Sequence, residues 1–171
     1  GYEHDLHPSH DADYFRGILD GSGGADAIVS APAINFSDTP GGAQGHFAAD
    51  AAFPQGNGDE FVIEATAELN VTAAQAGTWT FGINSDDGAR LVIDNTTVIL
   101  DDATHAPTDH LGTISLSAGT HSLELVFFEH ASGATLELFA APGAHAGFDG
   151  SFQLVTSGAG TGLKITPAGF D

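Results

Sequence analysis

Between residues 61 and 71, Phe61, Ile63, Ala65, Ala67, Leu69 and Val71 occupy every second position without a break. A period of two buries one face of an extended strand and cannot serve a helix, whose apolar positions recur every 3.6 residues. The same period returns at 78–84, where Trp79, Phe81 and Ile83 alternate with Thr80, Gly82 and Asn84, reading as a half-buried strand. Further strands are expected at 34–36, 90–94, 97–100, 113–116, 121–129 and 134–139. Turns fall at 72–77 and 117–119, a hairpin turn at Asn95-Thr96, and a polar loop over 101–112. Strands at intervals of about 8–12 residues, with no sustained helical period, predict an all-β sandwich or barrel. At 171 residues and 42% hydrophobic content, the chain suits one domain over 1–171, with 1–20 expected to be peripheral or flexible.

Charge narrows the function. Three basic residues, Arg16, Arg90 and Lys164, stand against 23 acidic ones, a formal net charge of −20. Phosphate binding needs a basic footprint that three cations cannot build, which excludes nucleic acid as a partner and disfavours anionic membranes. No apolar run approaches the roughly 18 residues of a membrane span, and no basic-then-apolar leader opens the chain. The expectation is a mature or excised module, monomeric within a longer chain. Such acidity suits salty or calcium-rich surroundings, where cations offset self-repulsion. Cysteine is absent, so neither disulfides nor thiolate metal sites are available; a bacterial extracellular module fits better than a disulfide-bearing secreted one.

The stretch with most chemical content is Gly-Ile-Asn-Ser-Asp-Asp-Gly at 82–88. Adjacent Asp86 and Asp87 follow a strand directly, and two such carboxylates suit a hard cation better than a core. In extended backbone, neighbouring side chains point to opposite faces. The two acids converge on one ion only if their peptide turns sharply or is cis. The alternative is a solvated Asp-Asp-Gly turn between strands.

Other clusters are weaker. His4, His7 and His10 lie in a Pro-interrupted polar stretch that reads as a solvated terminus, and residues 21–28 as a Gly-rich loop. His105, Asp109 and His110 suit a second ion or a sugar contact, and equally a polar surface loop. Catalysis is not expected. Glycoside hydrolysis needs carboxyls about 5–5.5 or 6.5–9.5 Å apart, one of them protonated, and acids sharing a cation are both held ionised. No Ser-His-Asp or His-Glu-x-x-His pattern appears.

The run at 76–94, Ala-Gly-Thr-Trp-Thr-Phe-Gly-Ile-Asn-Ser-Asp-Asp-Gly-Ala-Arg-Leu-Val-Ile-Asp, resembles the signature of the protective-antigen-type domain, named from an anthrax toxin component. Leu-Ser-Ala-Gly-Thr-His at 116–121, Leu-Val-Phe-Phe-Glu at 125–129 and Gly-Ala-Thr-Leu at 133–136 are similar to further landmarks in the right order. The resemblance covers most of the chain and is strongest over 64–141. It implies an antiparallel β-sandwich serving as a calcium-dependent carbohydrate-binding (lectin) module, as in yeast flocculins and bacterial repeat-toxin-type adhesins. Non-lectin relatives, and accessory modules of glycosidases, are the alternative. In the lectin branch paired aspartates adopt a cis peptide and hold Ca2+, whose coordination vicinal sugar hydroxyls complete; they map onto Asp86 and Asp87.

The family's second calcium loop maps onto 130–134, giving His130, Ser132 and Ala134 as metal-site residues and His130 and Ser132 as sugar contacts. Imidazole is a poor calcium ligand, so backbone carbonyls, the Ser132 hydroxyl or water would serve. Glu129 is tempting as a further ligand, but the resemblance gives it a structural part, and the expected set omits it. The implied partners are cell-surface glycans of fucose or glucose type, and the implied setting is a bacterial surface adhesin active in cell adhesion and biofilm.

Overall fold

The computed structural model describes residues 29–41, 44–54, 56 and 58–167; the expectations for the His-rich stretch and for 21–28 lie outside these residues. Ten strands run in chain order: β1 (Asn35–Ser37), β2 (Phe61–Val71), β3 (Gly77–Asp86), β4 (Ala89–Ile93), β5 (Thr96–Asp101), β6 (Thr108–Leu116), β7 (Gly119–Glu129), β8 (Thr135–Pro142), β9 (Gln153–Leu154) and β10 (Lys164–Pro167). They form two sheets of five strands. One has the order β1-β8-β3-β6, with β9 also on β8; the other has the order β10-β2-β7-β4-β5. Every strand pairing within them is antiparallel. The expected antiparallel β-sandwich is the architecture observed.

Alternation builds the core. Leu69 and Val71 of β2, Leu91 and Ile93 of β4, and Leu123, Leu125 and Phe127 of β7 point inward from one sheet. Phe81, Ile83, Leu136 and Leu138 meet them from the other. Each such side chain contributes about 1.5–3 kcal/mol by leaving water. The strand β2 keeps the single buried face its sequence predicts.

Strand β3 departs from expectation. Trp79 to Ser85 are buried at every position, because the outer face of this sheet is covered as well. Phe139 and Phe152 pack there with Phe47 and Phe148. Gly82 makes the covering possible: a Cβ at that position would lie 2.1 Å from Cε2 of Phe139. Alternation in β3 therefore separates two apolar environments rather than core from water.

Three other expectations need correction. The β4–β5 turn is Asp94-Asn95, one residue earlier than Asn95-Thr96, with left-handed φ values of 48° and 62°. Asp and Asn tolerate that region better than Thr, whose β-branch resists it. The polar loop at 101–112 shrinks, since β6 starts at Thr108 and pairs with β3 from Ser85 to Gly77. Ladder hydrogen bonds need no apolar side chains, so Thr108, Asp109 and His110 enter a strand that hydrophobicity does not announce. Strand β10, which pairs with β2, adds a strand that the expected set lacks.

The topology gathers many strand ends at one end of the sandwich. Ser85 pairs with Thr108, and Asp86 with Thr135, so β3 ends where β6 and β8 begin. Ala89 pairs with Asp101 and Phe127, and Phe61 with Glu129, bringing β4, β5, β7 and the start of β2 to the same level. The connections β3–β4, β5–β6 and β7–β8 all cross between the sheets there. Asp38, Asp59, Asp86, Asp87, Asp101, Asp102 and Glu129 are at or beside these ends.

Gly82→Ala should lower stability by about 1–3 kcal/mol through overpacking against Phe139. Gly147→Ala, with open space around its Cβ, should stay within about 0.5 kcal/mol of the parent. Urea midpoints of the two variants check this; equal midpoints would contradict the packing described.

Candidate metal centre

Asp86 is the last residue of β3, and the peptide joining it to Asp87 is cis. Both carboxylates turn to the same region. With Glu129, the last residue of β7, they form a group whose ligand oxygens all lie within 4.8 Å of one another. Gly88 lets the turn sit close to the sheet: a Cβ there would stand 2.5 Å from the Asp101 carbonyl oxygen and from Phe128 Cε1.

Each carboxylate has a different environment. Asp87 is buried, and each of its oxygens accepts one amide. Its Oδ1 accepts the His105 amide at 2.8 Å and its Oδ2 the His130 amide at 2.9 Å, so one side chain fastens the β5–β6 and β7–β8 connections together. Asp86 is half-buried. Burial, then the neighbouring Asp87 charge, pushes its pKa up to about 6, with His105 acting against the shift and Asp38 adding to it. Glu129 is 1% exposed, and among the described residues neither carboxylate oxygen accepts a hydrogen bond of good geometry; the Ala131 N–H is a weak donor to it. Burial, then Asp87 and Asp86, pushes its pKa up to about 8, with the Ala131 N–H acting against the shift and Asp59 adding to it.

An ionised carboxylate in such surroundings costs several kcal/mol unless a cation or hydrogen bonds compensate it. A proton is one remedy, and a divalent cation facing three oxygens is the other. The donor set is oxygen only, which suits a hard ion.

The loop at 130–134 lies beside this group. His130 is exposed and gives its amide to Asp87; Ser132 is exposed, has φ of 90°, and gives its amide to Asp59 Oδ1 at 3.1 Å. Ala134 is buried, and its carbonyl accepts the Asp38 amide at 3.1 Å. The main chain of this loop is thus engaged with acids of the site. Sequence reasoning omitted Glu129, Asp38 and Asp59. For Glu129 a signal existed: Leu123, Leu125 and Phe127 set an inward parity, which puts residue 129 on the core-facing side.

The cluster expected at His105, Asp109 and His110 divides. His105 and His110 converge on Asp101. Asp109 instead turns to the outer face of its sheet, accepting from Asn84 Nδ2 at 2.7 Å and facing His46 Nε2 at 2.8 Å. There His46 stacks on Phe148, and buried Glu137 accepts the amides of His46 and Phe47. These contacts hold the segment before β2 against β8.

Two outcomes follow. Asp86 and Glu129 have folded pKa values above their ordinary 3.8 and 4.5, so the native state binds more protons than the unfolded chain between those limits. Their contribution is complete below about pH 4 and is lost as pH rises through 6 and 8. In chelator-treated buffer, urea stability should therefore fall from pH 5 to pH 8.5, and Asp86→Asn should flatten the part near pH 6. Separately, Asp87→Asn sets an amide NH2 against one of two donating backbone N–H groups. It should cost about 1–3 kcal/mol, while Asp86→Asn, with no such partners, should not.

The comparisons with known proteins agree with this architecture. The PA14 domain family profile matches residues 32–148. A solved PA14 sugar-binding domain from an RTX adhesin aligns with TM-score 0.64 at 19% identity, covering 86% of this chain and 84% of that one. The PA14 domain of the antifreeze protein MpAFP aligns with TM-score 0.63 at 17% identity, covering 81% and 77%. An anti-sigma factor domain-containing protein from Clostridium clariflavum aligns with TM-score 0.61 at 18% identity, covering 88% of this chain and 45% of that one. The chain spans under half the length of the anti-sigma factor domain-containing proteins it matches. Among curated proteins none matches the chain. At these identities the solved structures speak for the fold alone. The family match, spanning more than half of the sequence, speaks for descent: the chain belongs to the PA14 domain family.

Proposed function

We propose that this domain is a calcium-dependent carbohydrate-binding module of a bacterial surface adhesin. The observation that carries the reading is the convergence of Asp86, Asp87 and buried Glu129, whose ligand oxygens lie within 4.8 Å of one another. A sugar-binding domain among the structural relatives supports it further.

Asp86, Asp87 and Glu129 would hold Ca2+ by carboxylate oxygens, with Ser132 and the main chain of His130 and Ala134 as the second loop. Calcium takes roughly 6–8 oxygen ligands, so a site at strand ends with fewer protein donors leaves positions for two vicinal hydroxyls. The chain's own part is positioning. Asp87 keeps both flanking loops in place through two amides, which holds the acidic group together before any ligand arrives. His130 and Ser132, exposed beside the acids, are the sugar contacts. Fucose- or glucose-type sugars offer the required diol. Affinity per site is expected to be modest, with adhesion strengthened by many copies. The domain binds rather than catalyses, because acids sharing a divalent ion stay ionised and cannot donate a proton.

Calcium uptake requires Asp86 and Glu129 to be deprotonated, so affinity should rise with pH between 5 and 8, with proton release near pH 7. Calorimetry in buffers of different ionisation enthalpy reads that release. A glycan array probed with calcium and again with chelator tests the sugar. Retention abolished by chelator and by Asp86→Asn is the expected result. Calcium uptake with no glycan signal would instead mark a calcium-stiffened scaffold, and no calcium uptake would end the proposal.

A further inference from the structure

A second convergence lies where the edge strands of the two sheets meet. Strands β5 and β6 approach so closely that a Cβ on Gly112 would stand 1.9 Å from the Val98 carbonyl oxygen. At the acidic end of this seam, Asp101, His105 and His110 bring one ligand atom each within 4.8 Å of one another. Asp101 closes β5, His105 lies in the connection, and His110 is in β6 opposite Ile83. The Asp101 side chain is only 6% exposed.

The hydrogen bonds set the chemistry of the three atoms. His105 Nδ1 lies 2.8 Å from the Ala106 carbonyl oxygen, which can only accept, so this nitrogen carries a proton. The other ring nitrogen, Nε2, faces Asp101 Oδ2 at 2.6 Å. His110 Nδ1 faces the same oxygen at 3.1 Å, yet it is buried and makes no hydrogen bond. Two imidazole nitrogens and a carboxylate oxygen thus surround one small volume, where a cation would give the buried His110 nitrogen a partner. A histidine whose second nitrogen donates to a backbone carbonyl is the usual arrangement of a metal-bound imidazole.

We propose that Asp101, His105 and His110 form a transition-metal site of the zinc type, distinct from the oxygen-only group at Asp86, Asp87 and Glu129. Imidazole suits zinc, cobalt and nickel, whereas calcium and magnesium prefer oxygen. Tetrahedral zinc with bonds of about 2.0–2.2 Å separates its ligand atoms by roughly 3.3 Å. The observed 2.6 and 3.1 Å would open by about 0.7 and about 0.2 Å, through a shift of a connection of few residues. Three protein ligands leave the fourth position to water. The ion would join the two sheets at their open seam. It would also fix the connection whose His105 amide holds Asp87.

The test uses the full chain, stripped with chelator and titrated with Co2+ in the presence of excess calcium, which keeps oxygen-only sites occupied. One Co2+ per chain with the intense visible absorption of tetrahedral coordination is expected, displaced by Zn2+. His105→Ala and His110→Ala should each weaken binding about a hundredfold. His4, His7 and His10 remain in every variant, so the difference reports the seam alone. Partly exposed His110 is the variant of choice should His105→Ala loosen the loop, with near-ultraviolet circular dichroism checking the fold. Equal Co2+ uptake by parent and His110→Ala, or no uptake by the parent at micromolar Co2+, would overturn the proposal.

Discussion

Repulsion among Asp86, Asp87 and Glu129 is the constraint on which the rest of this molecule turns. At 4.8 Å, two unit charges repel by roughly 3–4 kcal/mol at an effective dielectric of 20. A net hydrogen bond contributes only about 1 kcal/mol, so local hydrogen bonding alone does not hold three such charges together. Protons or a divalent ion must compensate, and the fold positions the acids so that the choice is between those two. With pKa values raised to about 8 and 6, Glu129 holds a proton at neutral pH and Asp86 takes one below about pH 6 when no ion is present.

The sandwich makes this convergence possible by bringing strand ends from both sheets to one level. Asp87 then converts proximity into order. Its two oxygens receive amides from two separate loops that each cross from one sheet to the other, so neither loop can drift without losing a buried hydrogen bond. The acid that helps make the site is therefore also the one that shapes it. Asp86 and Glu129 have no such duty, and their charge is available to a ligand.

Much of the fold was legible because burial writes a period of two into β2 and β7. The paired aspartates were legible because their adjacency, after a strand and before a glycine, has few structural uses. What stayed hidden depended on pairing rather than polarity. Strand β6 carries Asp109 and His110 yet completes a ladder with β3. The burial of both faces of β3 rests on aromatic residues from distant segments, Phe47, Phe148 and Phe152, which no local pattern connects to Phe139. Glu129 could have been read from strand parity, whereas Asp59 reaches the site through the Ser132 amide and through its charge near Glu129. The grouping of His105 with His110 but not Asp109 follows from opposite faces of one strand, once 108–110 is known to be a strand.

The most direct measurement is a crystal structure grown in calcium, with anomalous differences recorded at long wavelength. The account predicts a peak within about 2.3–2.6 Å of oxygens from Asp86 and Asp87, with Glu129 facing it. Carboxylates directed apart into solvent, with no peak among them, would contradict it.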